Sequence, residues 1–109
     1  MLSFGNSRIF LYKNVVDMRK GFEGLSFLVE EAFPDQLLTG SYFVFLNWRR
    51  DKIKVLYWDL DGLAFWYKRL EKGSFPKISD EKSIIERKEL LMMLEGVSPK
   101  RIQKRFFID

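Results

Sequence analysis

Apolar and polar positions change their spacing several times along this chain, and each change marks an element. Ile9 to Tyr12 (IFLY) is a continuous apolar run that predicts a short buried strand. From Asp17 onward, Met18, Phe22, Leu25, Val29, Ala32 and Phe33 recur at helical spacing, with Glu23, Glu30 and Glu31 elsewhere around the wheel. Asp17 is the predicted N-cap of this helix, and Pro34 with Asp35 ends it. After a connector at Leu37 to Gly40 come SYFVFLNW, KIKVLYWDL and LAFWYKRL, three strand-like runs separated by RRDK and by Asp61-Gly62. An Asp-Gly pair favours a type I′ hairpin turn, because both central residues of that turn take positive φ. Gly73 and Pro76 break the pattern, Lys82 to Glu86 reads as a short edge strand, and RKELLMMLEG as a helix ending at Gly96 with Leu90, Leu91 and Leu94 inward. The expected architecture is α+β: an antiparallel β-meander sheet packed by one long helix, with a smaller C-terminal helix.

At 109 residues the chain is read as a single domain (1–109), ending in a basic tail from about residue 97. A 47% hydrophobic content is ample for a core, so disorder is not the expectation. No apolar run approaches a membrane span, and MLSFGNSRIFLYK lacks the basic start and long apolar stretch of a signal peptide. Cysteine is absent, which removes disulfides and thiolate metal sites and fits a cytoplasmic location. Histidine is absent too, and with it the usual general base and the commonest metal ligand. No cofactor is expected.

The net charge of +4 is unevenly placed. Asn47 to Lys72 carries seven basic and four acidic residues, and Gly96 to Asp109 four and one. In the first of these segments the cations alternate with rings: Trp48, Tyr57, Trp58, Phe65, Trp66 and Tyr67 lie among Arg49, Arg50, Lys52, Lys54, Lys68, Arg69 and Lys72. Rings that stack on bases beside cations that pair with phosphate make a nucleic-acid surface. The expected contacts are therefore Arg49, Arg50, Lys52 and Lys54 near one end, Lys68, Arg69 and Lys72 on the returning arm, and Trp58 and Trp66 between them. The plainer reading of the same rings is sheet core, since aromatics favour strands. Arg19 and Lys20 form a second candidate. They fall in the first turn of the predicted helix, where the macrodipole disfavours cations, and Gly21 and Gly24 weaken that helix further. One reading is an anion site at the helix start; the other is an Arg19 pair with Asp17 or Asp59, with the glycines admitting close helix–sheet contact.

Catalysis finds little support. Asp51, Asp59 and Asp61 are the only carboxylates grouped enough to consider for metal, and they lie at turns, where aspartate serves the backbone. Without histidine, a serine nucleophile would need a lysine as its base.

VDMRKGFEGL (Val16 to Leu25) followed by YFVFLNWRRDKIKVLYWDLDGLAFWYKRLEKGSF (Tyr42 to Phe75) resembles the TnpB accessory-protein family of IS66-type insertion sequences, which is distinct from the RNA-guided nucleases also called TnpB. The pieces that carry the resemblance are Asp17 to Gly21, Phe43 to Phe45, Asn47, Arg50-Asp51, Lys54, Tyr57 to Asp59, Gly62, Trp66 to Leu70 and Gly73, with LLMMLEG matching a later leucine-rich stretch. Trp48 departs from the pattern, which favours a more polar residue there. The resemblance implies an accessory role in transposition of a bacterial insertion sequence, beside a separate DDE-type transposase, and the residues themselves make the expected role a non-catalytic one. The implied partners are DNA at the element ends, the transposase, or both, so the protein is expected to bind DNA through the basic-aromatic hairpin or to act as a protein–protein adaptor.

Overall fold

The computed structural model describes residues 7–77 and 84–94. The central run YFVFL is buried on both sides, and that fact dictates the layering: strand β2 (Tyr42–Leu46) must be covered on each face. It lies in the middle of a five-stranded sheet of order β4-β3-β2-β1-β5, with β1 at Ile9–Leu11, β3 at Lys52–Asp59, β4 at Gly62–Arg69 and β5 at Ile84–Ile85. Helix α1 (Phe22–Ala32) covers one face through Leu25 and Val29, against Phe10, Phe43, Phe45 and Leu56. Helix α2 (Arg87–Leu94) covers the other through Leu90 and Met93, against Ile9, Leu11, Val44, Ile53 and Val55, with Phe75 wholly buried beside it. The period of two along each strand sorts neighbours between these two cores.

The sheet is mixed, not wholly antiparallel. β1 pairs with β2 in parallel (Ile9 with Tyr42, Leu11 with Val44), while β2–β3, β3–β4 and β1–β5 are antiparallel. Adjacent parallel strands need a crossover between them, and α1 supplies it.

That helix is also shorter than expected, 11 residues starting at Phe22. The Asp17 carboxylate is spent locally: it accepts from the backbone N–H of Arg19 at 2.8 Å and from the Arg19 guanidinium, and Lys20 N–H closes a turn on Asp17 O at 3.1 Å. Gly21, in extended conformation, is the true N-cap, and Leu25 N–H makes the first helical bond to its carbonyl at 3.0 Å. Arg19 and Lys20 thus precede the helix and do not oppose its dipole from within. At the far end Phe33 N–H bonds Val29 O at 2.7 Å, and Asp35 turns the chain at φ 64°.

α2 is secured at both ends. The Glu89 side chain accepts from Glu86 N–H at 3.0 Å, half of a capping box. Lys68, reaching across from β4, donates to Leu94 O at 2.7 Å, a cation placed at the negative end of the helix. The expected helix end at Gly96 and the basic tail lie outside the described residues.

The β3–β4 hairpin pairs Asp59 with Gly62, so its two loop residues are Leu60 and Asp61, one position before the expected Asp-Gly pair. Leu60 takes φ 57° and is 91% exposed, while Gly62 needs no positive φ. A leucine in the left-handed region pays a steric cost of about 1 kcal/mol that asparagine largely avoids. Leu60→Asn is expected to raise unfolding free energy by about 1 kcal/mol, read as a higher urea midpoint at unchanged slope; a lower midpoint would sink this account of the turn.

Candidate nucleic-acid interface

A lysine inside the sheet organises the region. Lys54 lies on the α1 face of β3 and is 4% exposed. Its ammonium donates to Met18 O and to Lys20 O, both at 2.8 Å, and lies 4.6 Å from the Phe65 ring centre and 4.7 Å from that of Tyr67. Burial works against the charge and lowers the pKa, with the Asp17 carboxylate opposing that shift. Two carbonyls and two ring faces compensate the ammonium for lost water. The segment just before α1 is thereby pinned to the sheet, and Val16 N–H adds a bond to Leu46 O at 2.9 Å.

On that pinned segment Arg19 points outward, its side chain 92% exposed while bonded to Asp17. This pairing holds the Asp17 carboxyl well below the usual carboxylate range. Lys20 is exposed, and its stem runs over Gly24, where an added Cβ would stand 3.2 Å from Lys20 Cβ and Cγ. Gly24 therefore makes room for Lys20 and not for a close helix–sheet contact.

The loop joining β2 to β3 is equally fixed. Asn47 Nδ2 donates to Asp51 Oδ1 at 2.6 Å, and Asn47 Oδ1 accepts from Lys52 N–H at 3.0 Å. Arg50 takes φ 54°, exchanges backbone bonds with Asn47 and Phe75, and donates from Nε to Phe75 O at 3.2 Å. Asp51 O accepts from Leu70 N–H at 2.7 Å. With its flanks held, the loop presents Trp48, 80% exposed, and Arg49 to solvent, and Lys52 half-buried beside them.

The two segments face each other across a groove of about 490 Å³, bounded by Val15 to Met18 on one side and by Asn47 to Arg49, Asp51 and Lys52 on the other. Two further cations border the same end of the sheet. Arg69 pairs across the ladder with Lys52 and bonds Glu71 at 3.2 Å, and Lys72 is exposed in the segment that runs back past Arg50 and Asp51.

The structure therefore divides the residues expected to touch nucleic acid. Arg19, Lys20, Arg49, Lys52, Arg69 and Lys72 come to one end with their charges outward. Lys54 is interior, and Arg50 is tied to the Phe75 backbone. Lys68 and Trp66 lie on the α2 face, Lys68 bonded to that helix and Trp66 packed against its core. Trp58 is half-buried at the opposite end of β3, paired with Leu63. The ring that does stand among outward cations is Trp48, which the interleaved pattern contains but does not single out. Its position in a turn between Asn47 and Arg49 was the available signal. Asp51 and Asp61 lie in turns and Asp59 closes the β3–β4 ladder beside one, and no group of acids placed to hold a metal occurs among the described residues.

The IS66 Orf2 like protein family matches residues 7–104. The chain belongs to that family. Two relatives from Sinorhizobium fredii (strain NBRC 101917 / NGR234), the uncharacterized proteins y4jC and y4hO, are each 31% identical to it. The y4jC match runs over 100 residues (90% of this chain, 86% of the relative), and the y4hO match over 94 (84% and 82%). No solved structure matches. As an IS66 Orf2 like protein the chain is an insertion-sequence accessory protein, and no helix among the described residues is long and apolar enough to cross a membrane.

In this IS66 Orf2 like chain the geometry of the basic end rests on Lys54. Replacing it with methionine keeps the stem but leaves the Met18 and Lys20 carbonyls without their donor. Lys54→Met is expected to lower unfolding free energy by about 2–4 kcal/mol and to increase amide exchange in residues 16–20; an unchanged denaturation midpoint would show that the clamp is dispensable.

Proposed function

We propose that this protein is a non-catalytic, DNA-binding accessory factor whose contact surface is the basic end of the sheet. One observation carries the reading: Val15 to Met18, which lead into Arg19 and Lys20, line one groove together with the Trp48-Arg49 loop, 30 or more positions away in sequence, and with Lys52, while Lys54 ties the Met18 and Lys20 carbonyls to the sheet. Converging exposed cations on fixed backbone favour phosphate contacts that are independent of base sequence and weaken with salt. Family membership supplies the context, in which the ends of an insertion sequence are the natural DNA partner.

The test is fluorescence anisotropy with labelled terminal-repeat DNA at about 50 and about 200 mM salt. The double variant Arg49→Ala, Lys52→Ala is expected to bind about ten-fold or more weakly at low salt and to flatten the slope of log affinity against log salt by about two. Lys88→Ala, on exposed α2 beyond the opposite sheet face, should match the parent. Equal affinity for parent and double variant, or none at low salt for the parent, would remove this surface from consideration.

A second reading rests on Trp48 alone. Tryptophan and arginine are among the residue types enriched at the energetic centre of protein interfaces. The protein would then be an adaptor for the separate DDE-type transposase. Co-purification with the transposase that is abolished by Trp48→Ala would favour this reading, and retention in that variant would count against it.

A further inference from the structure

The groove at the basic end is lined by apolar Val16 and Met18, by Asp17 and Asp51, and by Arg49, Lys52 and the indole of Trp48. Both carboxylates are already engaged, Asp17 by the Arg19 guanidinium and Asp51 by Asn47 Nδ2. An unpaired base would therefore meet apolar side chains and a ring face beside two cations. The volume, about 490 Å³, lies within the ordinary range for small-ligand sites and is generous for a single base. Among the described residues Trp48 has no stacked ring or hydrogen-bond partner, and it is held out on a loop whose two ends are cross-bonded by Asn47.

From this arrangement we propose that the site prefers single-stranded DNA, with a base stacked on Trp48 and turned toward the groove while its flanking phosphates lie on Arg49 and Lys52. The proposal rests on the DNA-binding reading above and sharpens it. Duplex DNA presents phosphates outward and keeps its bases stacked inside, so it meets the cations but leaves the indole and the apolar lining unused. A single strand satisfies both parts, because its bases can be splayed from the backbone at low cost and every base has a face for the indole. Sequence tolerance follows from stacking being the main contact.

The experiment compares one labelled oligonucleotide, as a single strand and as a duplex with its complement, against the full-length protein, Trp48→Ala and Trp48→Phe by anisotropy at low salt. Expected is binding of the single strand at least about ten-fold tighter than the duplex, in line with one stacked base. Trp48→Ala should erase that preference while still binding both forms, and Trp48→Phe should restore most of it. Matching thermal unfolding of the variants is expected from an exposed side chain and confirms that the fold is unchanged. Equal or better binding of duplex, or a preference that survives Trp48→Ala, overturns the single-strand assignment and leaves the DNA-binding reading standing. Absence of binding to either form removes both.

Discussion

An ammonium group placed where a strand should carry an apolar side chain sets the terms for the rest of this molecule. Removing an ion such as the Lys54 ammonium from water costs several kcal/mol even after relaxation. Two carbonyl oxygens and two aromatic faces around Lys54 offset that cost. The carbonyls belong to the segment before α1, the rings to β4, and the lysine itself to β3. One side chain therefore fastens a loop, an inner strand and an outer strand together at the end of the sheet where the charges gather. A hydrophobic residue would fill the space but would hold no particular backbone atom; the lysine selects Met18 O and Lys20 O and so fixes where Arg19 and Lys20 emerge.

The same logic of shared faces explains how far the sequence could be read. Element types follow from local pattern, and IFLY, YFVFL and the helical spacing through Leu25 and Val29 correspond to β1, β2 and α1. What local pattern could not carry is the order of strands. Nothing in IFLY distinguishes a parallel neighbour of β2 from an antiparallel one, because that depends on which way α1 returns the chain. The helix starts later than the pattern predicts for a related reason: Asp17 is a good capping residue, and it does cap, but the turn it closes is its own with Arg19 and Lys20. Aspartate spacing cannot say which backbone N–H the carboxylate will take. Family membership, by contrast, was legible throughout, since it depends on strings of residues and not on their placement.

For the candidate site, mixing rings and cations along one hairpin is informative about family and misleading about surface. Alternation in β3 and β4 sends consecutive residues to opposite faces, so Lys68 and Arg69 separate, as do Trp66 and Tyr67. Each then meets a different environment: Lys68 ends α2, Trp66 completes the core beneath it, and Lys54 disappears into the α1 layer. A cation in a strand covered on both sides has a structural use far more readily than a binding one. Only where the strands end, at the 47–51 loop and at residues 69–72, do the charges escape this sorting.

That escape also accounts for the rigidity of the loop. A stretch meant only to connect two strands would not need Asn47 bonding across both ends, Arg50 in a left-handed conformation, and backbone exchange with Phe75. A left-handed arginine costs energy that surrounding contacts must over-determine. Here the bonds to Asn47 and Phe75 do so, and their effect is to turn Arg50 inward while Trp48 and Arg49 face out. The loop spends one cation on holding shape and leaves its neighbour and the indole in defined positions beside the groove. Preorganisation of this kind lowers the ordering cost of binding, whatever the partner.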